Sequence, residues 1–135
     1  QTEAPFVVPH VNTIEAITMV LADAPQSSIK ADDLHFYLAQ VCERIAFDGA
    51  TRFGTIKTYG SLTDDDSLQA TAWRVDTLIL AYPMLRKEER ALKRGLPTTI
   101  ERAMDYILYR NIEKAKAVSL SCALCAMIRY QSAKG

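Results

Sequence analysis

The sequence predicts an all-α protein that forms a single compact bundle of five to six helices. Apolar residues recur at helical spacing through most of the chain, and no strand-like alternation is seen outside a segment near residues 50–60. The chain has 135 residues, of which 49% are hydrophobic and 24% charged, as in one globular domain. We also predict an extended arm at residues 1–11 and a long loop at about 48–62.

The first part of the chain predicts an arm followed by two helices. Residues 1–11 contain two prolines and no helical period, which favours an extended arm ahead of a helical core at 12–135. Asn12 and Glu15 have the spacing of a capping box and begin a short first helix. A second helix is predicted from about Ile29 to Phe47, with the apolar stripe Leu34, Leu38, Val41 and Ile45.

A loop and a third helix follow. Residues 48–62 are rich in glycine and threonine and lack a helical period, and ordered loops of this length are often functional. Thr63, followed by three aspartates, is typical of a helix start, because negative charge there favours the helix dipole. This helix is predicted to run to Pro83, with the stripe Leu68, Ala72, Val75, Ile79 and Tyr82.

The last part of the chain predicts two or three more helices. A charged helix from Leu85 to Arg94 should end at Gly95, and a capping box at Pro97, Thr98 and Glu101 should begin a new one. The core face of that helix is predicted as Ile100, Ala103, Met104, Ile107 and Leu108. Residues 118–128 are apolar nearly all round, which predicts a helix buried on several sides.

The net charge is zero, but the charges are unevenly distributed. Residues 1–80 hold 5 basic and 11 acidic side chains, whereas residues 81–135 hold 11 basic and 5 acidic ones. Such a chain can stack head to tail or offer a basic face to a polyanion, and two solvated faces are the plain alternative. The uncharged run from Ala117 to Ile128 is too short to span a bilayer, so we expect no membrane partner.

Catalytic chemistry has little support in the sequence. Cys122 and Cys125 form a CxxC inside an apolar helix, without the second CxxC or the histidine that a metal site needs, and two small buried residues are the favoured interpretation. His10 and His35 accompany no nucleophile motif, and no phosphate-binding glycine loop is present. We therefore predict no enzyme, no metal site and no cofactor.

Arg74 is the most informative single residue. It lies in an apolar stretch of the third helix, where a guanidinium needs an anionic partner or water. A salt bridge with Asp105 and a contact to a phosphate are both consistent with this setting.

Four segments in order resemble the coat proteins of flexible filamentous plant RNA viruses, of the potexvirus, carlavirus and potyvirus kinds. They are Asp33–Cys42, Phe47–Thr51, Ala72–Arg74 with Leu80–Pro83, and Arg102–Tyr106. The first is similar to their helix with an aliphatic-Cys pair, and the second to their Asp-Val-Gly-Ser-Ser turn. The third is similar to their Thr-Leu-Arg helix running into Tyr-Ala-Pro, and the fourth to their Ala-Phe-Asp-Phe motif. The resemblance covers roughly residues 17–110.

The resemblance implies a viral coat protein that polymerises into a helical filament around single-stranded RNA without sequence specificity. It implies a nucleotide pocket formed by Thr51, Arg74 and Asp105, and an N-terminal arm that lies on a neighbouring subunit. Further candidates for the RNA-lining residues are Arg52, Lys57 and Arg102. The expected locations are the virion and the host cytoplasm. A second hypothesis is a nucleic-acid-free helical assembly or adaptor protein that uses head-to-tail charge complementarity.

Overall fold

The computed structural model describes residues 29–48 and 64–134, with side chains described for 29–46 and 68–134. Within these ranges the chain forms four α-helices and no strands, so the all-α prediction is confirmed for this part of the chain. The arm at 1–11, the helix predicted from Asn12 and the loop residues 49–62 lie outside the described residues.

The four helices follow one another with two short variations in helical pitch. They are α1 (Ala31–Glu43, continued by π-helical turns at Arg44–Asp48), α2 (Asp64–Ala81, continued by a 3₁₀ turn at Tyr82–Met84), α3 (Arg90–Tyr109) and α4 (Ala117–Lys134). In α1 the predicted stripe is confirmed, because Leu38 and Ile45 are buried and Leu34 and Val41 are partly buried against the core.

Helix α2 is the central element of the described fold. It packs most extensively against α4, and also against α3 and α1. The predicted stripe of Leu68, Ala72, Val75 and Ile79 is buried, but so are positions on its other faces, including Thr71 and Thr77. A helix that is surrounded by others buries residues all round, and this explains why one stripe underestimates the contact. The hydroxyl of Thr77 donates to the carbonyl of Trp73 at 3.0 Å.

The predicted helix end at Gly95 is wrong, because α3 continues through this residue. The chain from Leu85 to Glu89 forms turns, and one continuous helix then passes through both Gly95 and Pro97. Leu92, Leu96 and Ile100 keep the same buried face across the proposed break. The burial of that face outweighs the helix-breaking tendency of glycine and proline, which is a tertiary effect that local propensity does not contain.

The proline is accommodated by a hydrogen bond from another element. Pro97 has no N–H, so the carbonyl of Lys93, four residues earlier, lacks its usual helical donor. The hydroxyl of Tyr82 donates to that carbonyl at 3.3 Å. The ammonium of Lys93 also lies over the Tyr82 ring, 4.5 Å from its centroid. The Tyr82 hydroxyl therefore supplies the hydrogen-bond donor that the Lys93 carbonyl lacks because residue 97 is a proline.

Helix α4 forms where it is predicted, but the expected burial on several sides is wrong. Its buried residues are small: Ser119, Ala123 and Ala126. The larger residues Val118, Leu120, Leu124 and Ile128 are exposed. Leu108 on α3, predicted in the core, is also exposed. Small side chains let α4 approach α2 closely along one face, and nothing in the described part of the chain covers the other.

Among the described residues, no helix has the length and apolar character needed to cross a membrane.

Candidate nucleic-acid interface

Arg74 lies inside the bundle. It is on the central helix α2 and is only 7% exposed, and its side chain has an interaction partner within the chain. The sequence-based expectation that this guanidinium needs a partner in an apolar setting agrees with this position.

Asp105 and Arg102 lie on the outside of α3. Both are exposed, whereas Ala103, Met104 and Ile107 between and beside them are buried. Because successive residues turn by about 100° around a helix, Asp105 lies on the side opposite the buried face. Asp105 is thus on the outer side of α3 and Arg74 is buried on α2, and the pocket that would join them stays a prediction.

The other predicted contacts lie outside the described residues. Thr51, Arg52 and Lys57 all belong to the segment 49–63. Their roles in RNA binding stay predictions.

The exposed side of α3 carries a line of residues that suits a single-stranded nucleic acid. The described structure leaves Arg94, Thr98, Arg102, Asp105 and Tyr109 exposed, spaced by three or four residues. Residues at these spacings share one face of a helix, and the line extends for roughly 22 Å. Tyr109 is 82% exposed, which is unusual for an aromatic side chain. Two arginines, one exposed tyrosine ring, one threonine hydroxyl and one aspartate carboxylate thus share this surface, which we call the α3 stripe.

The C-terminal end of α3 adds a second aromatic and arginine combination. The guanidinium of Arg110 stacks over the ring of Tyr106, 4.7 Å from its centroid, and also donates to the Tyr106 hydroxyl. Cation–π stacking of this kind holds an arginine in place. Arg94 and Tyr109 were not predicted as contacts from the sequence, although the helical phase of Ile100, Met104 and Ile107 is sufficient to place both on the outer face.

The contact between α2 and α4 contains the polar groups of the interior. Asp76, buried on α2, forms an ion pair with Arg129 of α4, with 2.5 Å between Oδ1 and Nε, although the pair lacks the geometry of a hydrogen bond. Trp73 donates its indole N–H to the sulfur of Cys122. These contacts fix the position of α4 on α2 and need no ligand, so they are structural.

Two of the three cysteine thiols, those of Cys42 and Cys122, have raised pKa values. Burial raises the pKa of the Cys42 thiol to about 12. Burial also raises the pKa of Cys122, with Cys125 and Asp76 acting in the same direction and the Trp73 hydrogen bond acting against them. The expected burial of both CxxC cysteines is wrong, because Cys125 is exposed and Cys122 is only partly buried. A raised pKa keeps a thiol protonated and weakly nucleophilic at neutral pH.

An apolar groove of about 350 Å³ lies between the C-terminal end of α2, the middle of α3 and the end of α4. Its walls include Ile79, Pro83, Pro97 and Ile100. Glu101 and Lys134 also lie at the groove. The described residues contain no cluster of three or more histidine, cysteine or acidic side chains able to hold a metal ion. The groove has the size of a small ligand site but lacks convergent catalytic groups.

Comparison with protein families, curated proteins and solved structures found no match to this chain. The α3 stripe and the four segments that resemble filamentous coat proteins are therefore the grounds on which a function can be proposed.

Proposed function

We propose that this chain is a viral coat protein that polymerises into a helical filament and packages single-stranded RNA without sequence specificity. The observation that carries the proposal is the α3 stripe, in which exposed arginines and an exposed aromatic ring follow one helix face. Proteins that bind single strands of any sequence combine cationic side chains, which track the phosphates, with aromatic rings on which bases stack.

Each member of the stripe has a role in this proposal. Arg94 and Arg102 offer planar donor pairs that match the oxygens of a phosphate. Tyr109 offers a ring for base stacking, which every base can use. Thr98 and Asp105 can accept or exchange a hydrogen bond with a ribose 2′-hydroxyl, the group that distinguishes RNA from DNA. Backbone and stacking contacts suit a coat that must cover any sequence.

In this proposal, the residues of the predicted nucleotide pocket act at separate places. Asp105 and Arg102 act in the α3 stripe, and Thr51, Arg52 and Lys57 remain proposed contacts from the loop at 48–62. Arg74 is proposed to act from inside α2 by holding the bundle in shape, because it is only 7% exposed. We also propose a core of five to six helices and an arm at 1–11 that packs on a neighbouring subunit. The virion and the host cytoplasm are the proposed locations.

A second candidate function is a nucleic-acid-free helical assembly or adaptor protein. It is favoured by the exposed apolar residues on α1 and α4, which suit protein contacts, and by a net charge of zero. Asp105 also lowers the positive charge of the α3 stripe. The two candidates differ in one property that can be measured directly, namely whether the purified chain binds RNA.

The double variant Arg94→Gln with Arg102→Gln tests the proposed RNA surface. Binding of a fluorescent oligouridine is measured by anisotropy over a range of salt concentrations. Each phosphate contact contributes about 0.7 to the slope of log affinity against log salt for a single strand, so the variant should lose about 1.4 from that slope. The matched control is Lys30→Gln with Lys87→Gln, two exposed cations outside the stripe that remove the same charge.

The outcomes separate the two candidates. An unchanged slope in the stripe variant, or an equal loss in the control, would remove the stripe as the RNA surface. An absence of RNA binding by the wild-type chain at low salt would reject the coat-protein proposal and favour the nucleic-acid-free assembly.

A further inference from the structure

The apolar groove at the C-terminal end of α4 is open in the described fold. Its volume is about 350 Å³, and its walls include aliphatic and proline side chains of α2 and α3, namely Ile79, Pro83, Pro97 and Ile100. Protein interiors rarely leave voids larger than a water molecule, so apolar walls of this extent contact water unless another group covers them. Glu101 and Lys134 lie at the same groove with opposite charges, so apolar contacts would select its occupant.

The described part of the chain begins at the same end of the bundle. Asp32, in the first turn of α1, forms an ion pair with Arg86 at 2.7 Å. Arg86 lies in the turn between α2 and α3, three residues after Pro83 of the groove wall. Residues 1–28 therefore join the described fold close to the groove.

The segment that joins there carries an apolar stripe. The sequence predicts a helix that begins at Asn12, and Pro25 follows its end. Ile14, Ile17 and Leu21 are spaced by three and four residues, so they share one face of that helix. A helix of about a dozen residues is marginal in water by itself, so it needs a surface on which to bury this stripe.

The short tether favours this segment over other occupants. Only four residues, 25–28, separate the predicted helix from Ile29. The five steps from residue 24 to residue 29 span at most about 18 Å, so the end of the predicted helix stays near this end of the bundle. A short flexible link gives an effective concentration in the millimolar range, which a second copy or an unrelated protein would have to reach to compete.

We propose that residues 12–24 of the same chain occupy the groove, with Ile14, Ile17 and Leu21 against its apolar walls. In this arrangement Leu21, the residue of the stripe nearest the tether, packs beside Tyr130 and Ala133 at the end of α4. Docking also fixes the point from which residues 1–11 leave the molecule. The inference concerns one molecule and depends on neither the RNA binding nor the polymerisation of the proposed function.

Chemical crosslinking in the full chain provides the first test. Ala133 lines the groove and is exposed, so Ala133→Cys places a thiol at its edge. In a chain that also carries Leu21→Cys, a short bismaleimide reagent should join the two new thiols within one molecule. The product then keeps the mass of a single chain under denaturing conditions. Cys125→Ser is included in every variant, because that native thiol is exposed.

The matched control for the crosslink is Met19→Cys with Ala133→Cys. Residue 19 is two positions from Leu21 but lies on the opposite side of the predicted helix. Its yield of the crosslink should be lower by about tenfold, because a thiol on that side points away from the groove.

Hydrogen exchange of the full chain tests the docking without added cysteines. Ala133→Glu puts a charge into the groove, whereas Ser132→Glu puts the same charge on an exposed neighbour that does not line it. A carboxylate buried against apolar groups is unfavourable, so Ala133→Glu should raise the exchange rate of amides 12–24 by about tenfold. Ser132→Glu should leave that rate unchanged. Both positions are exposed, so neither variant disturbs the described core.

Four results would overturn the inference. A crosslinked product with twice the mass of one chain would show that a second copy occupies the groove. Equal crosslinking yields from Leu21→Cys and Met19→Cys would show that the stripe does not face it. Unprotected amides at 12–24 in the wild-type chain, or equal exchange in the two glutamate variants, would show that this segment does not cover the groove. None of these measurements involves RNA, so failure of the coat-protein proposal would leave the inference standing.

Discussion

Cys42 shows how burial decides the chemistry of a single side chain. Its thiol is fully buried in the core, and this raises its pKa to about 12. Transfer of a thiolate into an apolar interior is unfavourable, so the folded state keeps the proton. Cys42 therefore acts as a small apolar residue in the core.

The raised pKa predicts a loss of stability at alkaline pH. The unfolded thiol loses its proton near 9.0 and the folded one near 12, so the unfolded state binds fewer protons between these values. The contribution is complete below pH 9 and falls above it by up to about 1.4 kcal/mol per pH unit. Urea denaturation between about pH 8 and 10.5 should show a smaller loss of unfolding free energy in Cys42→Ala than in the wild type. Equal slopes would contradict the buried position.

The residues of the predicted pocket show what a sequence can predict at this scale. The apolar neighbours of Arg74 correctly indicate a guanidinium that needs a partner, because that depends only on local composition. The outward position of Asp105 depends on the phase of α3 relative to the core. Ile100, Met104 and Ile107 already define that phase in the sequence, whereas the pocket that the resemblance implies stays a prediction.

Helix α3 is the element whose continuity depends most on another part of the chain. The hydroxyl of Tyr82 replaces the N–H that Pro97 cannot supply to the carbonyl of Lys93. A buried or partly buried carbonyl without a donor costs about 1 kcal/mol or more, so this bond supports the helix at its weakest point.

A double-mutant cycle tests this support. Tyr82→Phe keeps the ring under the Lys93 ammonium and removes only the hydroxyl, so it should lower the unfolding free energy by about 1 kcal/mol. In a Pro97→Ala background the restored N–H satisfies the same carbonyl, and the cost of Tyr82→Phe should fall to a few tenths of a kcal/mol. Equal costs in both backgrounds would show that the hydroxyl does not replace the missing donor.

Two elements show why local patterns misled the prediction. Glycine and proline, here Gly95 and Pro97, often end a helix. In α3 the burial of Leu92, Leu96 and Ile100 in the core outweighs that tendency, and the helix continues. The apolar run of α4 correctly predicts a helix, yet apolar composition does not tell whether a neighbouring helix or a second molecule covers each side. In α4 the small residues carry the packing and the large ones face outward.

At the scale of the whole molecule, the charge asymmetry of the sequence becomes a set of separate outer surfaces. Phe36 and Tyr37 of α1 are exposed, Leu124 and Ile128 of α4 are exposed, and the α3 stripe carries arginines and a tyrosine. The uneven distribution of charges along the chain can be counted in the sequence. The assignment of these charges to surfaces requires the packing of the helices. In the proposed filament, the α3 stripe binds RNA.

The central claim is that the chain packages RNA, and protection of RNA from nuclease tests it most directly. The purified chain is mixed with single-stranded RNA at low salt, treated with ribonuclease, and imaged by negative stain. The account predicts filaments that retain intact RNA, with ultraviolet absorbance at the nucleic-acid band after digestion. Filaments or compact particles whose RNA is fully digested, and whose spectrum is that of protein alone, would contradict it.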